Sequence, residues 1–270
     1  MAHVESLHQK LIRRARYLRY LGKPILWPEF GRRLKYKLFS KREDEKRLAS
    51  QREEASSWCE SRALSSEQAL QIIGDSTTPL LPVRETFPGE FAQAERAAAG
   101  CPIKMGGAGN LDLLFSLCEV LQAETVLETG VAYGWSSLAI LLSLQKRSHG
   151  RLYSIDLPYL ELQNDRWVGV AVPESLKGRW KLFRMADREG APRAIRAAQV
   201  FDLVHYDSDK SYAGRMSTYR RVWAALRSKG VLMSDDIGDN PAFRDFCEEA
   251  GVDSLVVKDG RKYQGVAVKP

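Results

Sequence analysis

The chain predicts a mixed α/β fold. Its centre is a mostly parallel sheet of seven strands, closed by an antiparallel hairpin and preceded by a basic helical N-terminal extension. Three observations carry this reading. From about Asn110, short β-branched runs alternate with apolar stretches of helical length, and helices between strands mean parallel pairing through right-handed crossovers. The last run, "SLVVKDGRKYQGVAVK", turns at Asp259-Gly260, a dipeptide suited to a tight hairpin. Charge divides the chain as well: residues 1–42 hold 12 Lys or Arg against two acids, so +10 precedes a remainder of −3.

Residues 1–60 read as the extension: basic helical pieces broken by "GKP" and "WPEFG", then the mixed-charge helix "KREDEKRLASQREE". Tyr17, Tyr20, Trp27, Phe30, Tyr36 and Phe39 are interleaved with its cations. Such a mixture suits an anionic lipid surface or a polyanion. No RNA-binding motif accompanies it, so nucleic acid is not an expected partner. Packing on the domain, or on a second subunit as a homodimer, is the preferred reading; peripheral contact with the inner membrane face is the other. Residues 61–102 read as a linker with short helices. Ser65 and Gln68 have capping-box spacing, "STTPLLPVRETFPGE" is a linker or docking loop, and Gly100 closes "FAQAERAAAG".

Residues 103–270 form the main domain. Its strands are "TVLETG", "RLYSIDLP", "WKLFRM", "FDLVHYD" and "KGVLMSDDI", followed by the two arms of the hairpin. Hydrophobic and charged contents of 44% and 28% are ordinary for a globular protein. Cys59, Cys101, Cys118 and Cys247 show no metal or redox spacing and read as reduced thiols of a cytoplasmic protein. Neither a signal peptide nor an apolar run long enough to span a membrane is expected.

The turn after the first strand narrows the ligand. A dinucleotide fingerprint needs G-x-G-x-x-G, but Ala132 and Trp135 hold the second and third slots after Gly130. A phosphate-binding P-loop needs a lysine that is missing here. What remains is Glu128, Gly130 and Gly134, a carboxylate and two glycines suited to a positively charged amino-acid moiety. The second strand ends in Asp156, placed to accept from two ribose hydroxyls. Asp207 ends the fourth strand, and Asp235 and Asp236 end the fifth. Adjacent parallel strands bring these three acids together, where they repel unless a positive charge sits among them. An all-oxygen set suits a hard cation, Mg²⁺ or else Ca²⁺ or Mn²⁺.

"VLETGVAYGWSS" resembles motif I of S-adenosylmethionine (SAM)-dependent methyltransferases. The resemblance extends over about residues 103–270 and implies a Rossmann-like class I methyltransferase sheet. It implies that Gly130 and Gly134 make room for the methionine part of SAM and that Glu128 holds its ammonium through the turn. Tyr133 and Ser136 would line the same end. It also implies that Asp187 in "RMADRE" reads the adenine amino group. "IKMGGAGN" is similar to the segment that folds over SAM in catechol-type O-methyltransferases, with Met105 and Gly107 as contacts.

Lys210, three residues after Asp207, resembles the general base of the catechol-type metal-dependent enzymes, although Asp236 stands where they usually have Asn. "HYDSDKSYAGRMSTYRRVW" and "KGVLMSDDI" more closely resemble the bacterial family that includes macrocin-type sugar O-methyltransferases, many of which carry His at the Lys210 position. The implied activity is metal-assisted methylation of a hydroxyl on a small molecule or glycan-type acceptor. Metal-free methylation of nitrogen or RNA, and a non-catalytic SAM-binding scaffold, are the alternatives. His205 reads as a core residue, Asn240 as a residue reaching the substrate side, and the long 157–179 connection as a lid or selector, with Trp167 a candidate gate or, by preference, an aromatic that anchors packing.

Overall fold

The computed structural model describes residues 22–32, 43–158 and 165–270. Its sheet has eight strands: β1 (Ala63–Leu64), β2 (Thr125–Thr129), β3 (Arg151–Asp156), β4 (Trp180–Arg184), β5 (Phe201–Tyr206), β6 (Leu226–Ser234), β7 (Ser254–Asp259) and β8 (Lys262–Val268). In space they run β1-β7-β8-β6-β5-β2-β3-β4. Only β8 runs against its neighbours, pairing antiparallel with β6 and β7. From β2 the chain winds outward through β3 to β4, then returns to β5 on the other side. That reversal leaves a crevice at the carboxyl ends of β2 and β5, the usual ligand position in open α/β sheets.

The seven expected strands are present, and β1 is an addition. It sets Ala63 and Leu64 beside Val256 and Val257 of β7, and two residues are too few to show a periodicity. Each central strand is buried on both faces, and its side chains alternate between two cores. Val126, Leu203, Val231 and Val266 join one core with α2 (Ser66–Ile73), α4 (Pro88–Ala99), α5 (Leu111–Val120), α6 (Trp135–Leu144) and the short α7 (Glu174–Lys177). Leu127, Val204, Leu232 and Ala267 join the other with α8 (Asp187–Ala198), α9 (Tyr212–Ala224) and α10 (Ala242–Ala250).

The segment expected as a linker is part of the first core. Leu70, Val83 and Phe91 are buried there. The short helix α3 (Val83–Thr86) docks on α5, where Asp112 accepts from the Val83 amide at 2.9 Å. The capping box forms as expected: Gln68 N donates to Ser65 Oγ at 3.2 Å, and Ser65 N to Gln68 Oε1 at 2.8 Å. Helix α9 ends at Ala224, and β6 starts three residues before the expected strand "KGVLMSDDI". Lys269 Nζ donates to the carbonyls of Trp223 and Leu226, and the strand begins at Leu226, opposite Phe201.

In the extension, α1 (Glu43–Glu60) packs on the domain. Ser56 Oγ donates to Gly238 O at 3.0 Å, Arg52 pairs with Asp239 at 2.9 Å, and Glu60 pairs with Lys258 at 2.7 Å. Upstream, Leu26 is fully buried against Phe30 and Leu157. Most of the basic arm, residues 1–21 and 33–42, lies outside the described residues, and the membrane-surface expectation falls on it. Among the described residues no helix is long and apolar enough to cross a membrane. All four cysteines are free, and burial pushes the Cys59 thiol up to about 12.

Candidate active site

A cleft of about 630 Å³ opens at the carboxyl ends of β2, β3, β5 and β6. Its floor is the turn after β2. Gly130 has φ +81°, and a Cβ there would lie 2.2 Å from the Asp207 carbonyl oxygen. At Gly134, φ +89°, a Cβ would lie 3.0 Å from Gly169 Cα. At both glycines a side chain is already excluded by packing within the protein. Gly130 does border the cleft, but the close neighbours that exclude a side chain are other parts of the backbone. The described part of the 157–179 connection is fastened to the same turn, since Gly169 N donates to Ala132 O and Ala171 N to Tyr133 O, both at 2.9 Å. Trp167 lies beside Gly100, in the anchoring role expected; residues 159–164 lie outside the described residues.

Glu128 does not open on the cleft. It is fully buried and accepts from Ser136, Ser137 and Ser154 hydroxyls at 2.5, 2.6 and 2.7 Å. Burial pushes its carboxyl up, against those three donors. It acts on the cleft through Ser136, which does line it. Tyr133 is likewise turned to structure: its hydroxyl donates to Ile103 O at 2.9 Å and accepts from Met105 N at 3.3 Å. That bond fixes the loop through which Met105 and Gly107 border the cleft.

Asp156 and Asp187 border the cleft as expected. Asp156 is nearly buried; Oδ1 accepts from the Val131 amide at 3.0 Å and Oδ2 meets Arg184. Asp187 accepts from Ser208 Oγ, and burial pushes its carboxyl up to about 6.

The far end holds the charged groups. Lys210 Nζ bridges Asp207 and Asp236, at 3.0 Å from the latter. Lys262 takes the other oxygen of Asp236 at 2.9 Å. Asp235 turns away from both lysines, with Oδ1 3.7 Å from His205 Nε2. Neither that oxygen nor His205 Nδ1 has a hydrogen-bond partner among the described residues. Burial alone would lower Lys210, but Asp207 and Asp236 outweigh it and hold the ammonium above its ordinary range. Burial likewise opposes the charge on His205, and Asp235, with Glu128 and Asp207 behind it, raises it overall. Asp207 is pushed up by burial and by Asp235.

Residues 127–237 match the family model described as a methyltransferase domain. They read as a methyltransferase domain. Among solved structures, cofactor-bound Rv0187 from MTB is 20% identical, over 66% of this chain and 88% of its own, with a TM-score of 0.53. The O-methyltransferase from Bacillus cereus, in complex with SAH (S-adenosylhomocysteine), is 16% identical over 78% of this chain and all of its own, at 0.50. SAH-bound methyltransferase PaMTH1 from Podospora anserina is 12% identical over 85% and 97%, also at 0.50. These likenesses are of fold. No curated protein matches the chain by sequence.

The methyltransferase site departs from its expected metal set. Among the described residues no group of three His, Cys, Asp or Glu side chains is arranged to hold a metal ion. The physical reason is electrostatic: three neighbouring carboxylates need positive charge, and here Lys210 and Lys262 provide it, with His205 beside Asp235. The Lys210 ammonium lies between two of the three presumed ligands, and the third faces a histidine. The donor set as built does not fit a divalent ion.

Among the cleft residues that the sequence reading did not assign to the site are Glu29 and Arg32 from the extension and Lys262. His205, expected as a core residue, borders the cleft as well. Arg32 reaches Glu189 with both terminal nitrogens, at 3.1 and 3.2 Å. Its sequence neighbourhood resembles the rest of the basic arm and carries no distinguishing signal. Arg184, the partner of Asp156, had one: it is the last residue of β4, in register with Asp156, so opposite charges end adjacent strands. Asn240 holds the Lys210 carbonyl through Nδ2 at 2.8 Å.

Proposed function

We propose that this methyltransferase carries the methyl group of SAM to a hydroxyl of a small-molecule acceptor, without a divalent ion. The observation that carries the reading is the Lys210 ammonium set between Asp207 and Asp236 at the end of the cleft. The cleft's volume is in the range of small-molecule sites. Asp156 and Asp187 offer carboxylate oxygens to hydroxyl and amine donors along one wall, as a nucleoside requires. The Bacillus cereus and Podospora anserina proteins of the same fold were each solved with SAH.

SAM, when bound, supplies an electrophilic methyl on a sulfonium. The chain's own residues must then orient the acceptor oxygen and remove its proton. A charged lysine cannot accept that proton, so the base role expected of Lys210 passes to Asp207, whose raised carboxyl is the better acceptor. Lys210 stabilises the developing alkoxide, a preorganised charge at the point where charge develops. The acceptor O–H bond breaks towards Asp207, the O–CH₃ bond forms in line, and the S–CH₃ pair stays on sulfur. Glu128 and the Tyr133 anchor keep the turn and its loop in place.

Methyl transfer from SAM to a panel of phenols and alcohols, followed by mass spectrometry with and without EDTA, tests the reading. The expected result is turnover that EDTA and added Mg²⁺ leave unchanged. Turnover lost in EDTA and restored by Mg²⁺ would overturn the metal-free mechanism. Tight SAH binding with no transfer to any acceptor would reduce the chain to a scaffold.

A further inference from the structure

We infer that the methyl acceptor is a hydroxylated molecule with an apolar body, and that it binds in a second cavity whose outer wall is α1 of the extension. The inference rests on the hydroxyl-methylating reading above and adds a substrate class to it. The second cavity has a volume of about 1090 Å³. Among the described residues Lys210 alone lines both it and the donor cleft. A molecule filling the second cavity therefore presents its inner end at the proposed reaction point. On one side stand Leu48, Gln51 and Arg52 of α1, and on the other the Ser211–Ala213 stretch that opens α9.

The lining chemistry separates an apolar body from a sugar. Sugar recognition needs several side chains with unspent donors and acceptors, yet the polar groups here are largely spent within the protein. Arg52 is paired with Asp239, and Ser56 donates to Gly238 O. Ser211 Oγ caps α9 through Gly214 N at 3.1 Å, and the Tyr212 hydroxyl donates to Asp245 at 2.9 Å. Asn240 is consumed by the Lys210 carbonyl and the Ala242 amide. Beside Gln51 and Glu53 of α1, what is left is largely apolar: Leu48 is 42% exposed and Tyr212 36%, with Ala49 and Ala213 beside them. Large apolar side chains facing an open cavity mark a binding surface. The glycan-type acceptor expected from the sequence gives way to an alkyl- or aryl-substituted alcohol or phenol.

The arm then has a function in the site. Helix α1 is held by Arg244–Glu54 at 2.7 Å as well as by the contacts at Ser56, Arg52 and Glu60, so Leu48 is carried on a fixed element.

The test titrates full-length protein, saturated with SAH, with 4-hexylphenol and with methyl α-glucoside by calorimetry. The expected result is binding of hexylphenol and none of the glucoside. Leu48→Glu and Tyr212→Ala, both at exposed positions, should each weaken hexylphenol binding at least tenfold while SAH affinity and melting temperature hold. Hexylphenol binding unmoved by both variants, or glucoside binding the tighter, would overturn the assignment. Protein that takes hexylphenol in a Leu48-dependent way but refuses SAH would break the parent reading and leave the cavity assignment standing.

Discussion

The two ends of the donor cleft are built by different means. At the β3–β4 end, Asp156 and Asp187 are fixed mostly by a backbone amide and a serine hydroxyl, with Arg184 as the cation that meets Asp156. At the β5–β6 end two lysines and a histidine face three aspartates, and Asp235 and His205 each keep a buried atom that has no hydrogen-bond partner among the described residues. Satisfied carboxylates hold a fixed geometry, as a binding wall must. A buried network with open valences is costly to keep, and such costs concentrate where chemistry is done. The first end reads as the place that holds the donor, the second as the place that moves a proton.

The sharpest way to break this division is Asp207→Asn. The amide keeps the shape but cannot take a proton, so kcat should fall by roughly 10²–10⁴, the usual yield of general-base catalysis. SAH affinity, measured by calorimetry, should stay within about twofold because the wall that holds SAH is elsewhere. Equal losses in kcat and SAH affinity would show that the two ends act as one site.

The same contrast explains what could be read from the sequence. Strands buried on both faces give apolar runs, so β2, β3, β5 and β6 and the acids ending them were legible. Their carboxyl ends had to converge once the sheet order followed. The fate of each acid was not legible, because it depends on residues remote in the chain. Lys262 comes from the hairpin, 26 residues beyond Asp236, and Arg32 from the extension. Without Lys262 in view, and with His205 read as a core residue, three aspartates implied a metal. Glu128 misled for a related reason: its three serines lie at i+8, i+9 and i+26, and only the folded turn gathers them.

A second test addresses the donor end through pH. Asp187 has its carboxyl raised from 3.8 to about 6 by burial. A raised carboxyl contributes stability that is complete below about pH 4 and lost as pH rises through about 6. Asp187→Asn removes that dependence. Against the variant, the wild-type protein should lose on the order of 3 kcal/mol between pH 4 and pH 7. That is on the order of 5 °C in the difference of melting temperatures. Parallel melting curves at the two pH values would mean that Asp187 is an ordinary ionised acid, and the contrast between the two ends would weaken.

The smallest effect concerns how the extension closes the donor cleft. Arg32 grips Glu189 with a two-pronged bond and donates through Nε to Glu29 at 2.9 Å. Arg32 and Glu189 are about one-third and one-quarter exposed, so Arg32→Ala should cost only ~0.5–1 kcal/mol of stability. Leu26 and Phe30 still hold the segment from beneath. The larger consequence is kinetic. Arg32 and Glu29 border the cleft, and loosening them should raise the SAH release rate several-fold in stopped-flow measurements. Arg32→Lys discriminates between charge and shape, because an ammonium cannot reproduce the planar fork. If Lys restores slow release as fully as Arg, long-range attraction to Glu189 is sufficient. If release stays fast in both variants, the fork itself holds the residues 24–32 segment over the cleft, and the donor end owes part of its fixed geometry to the extension.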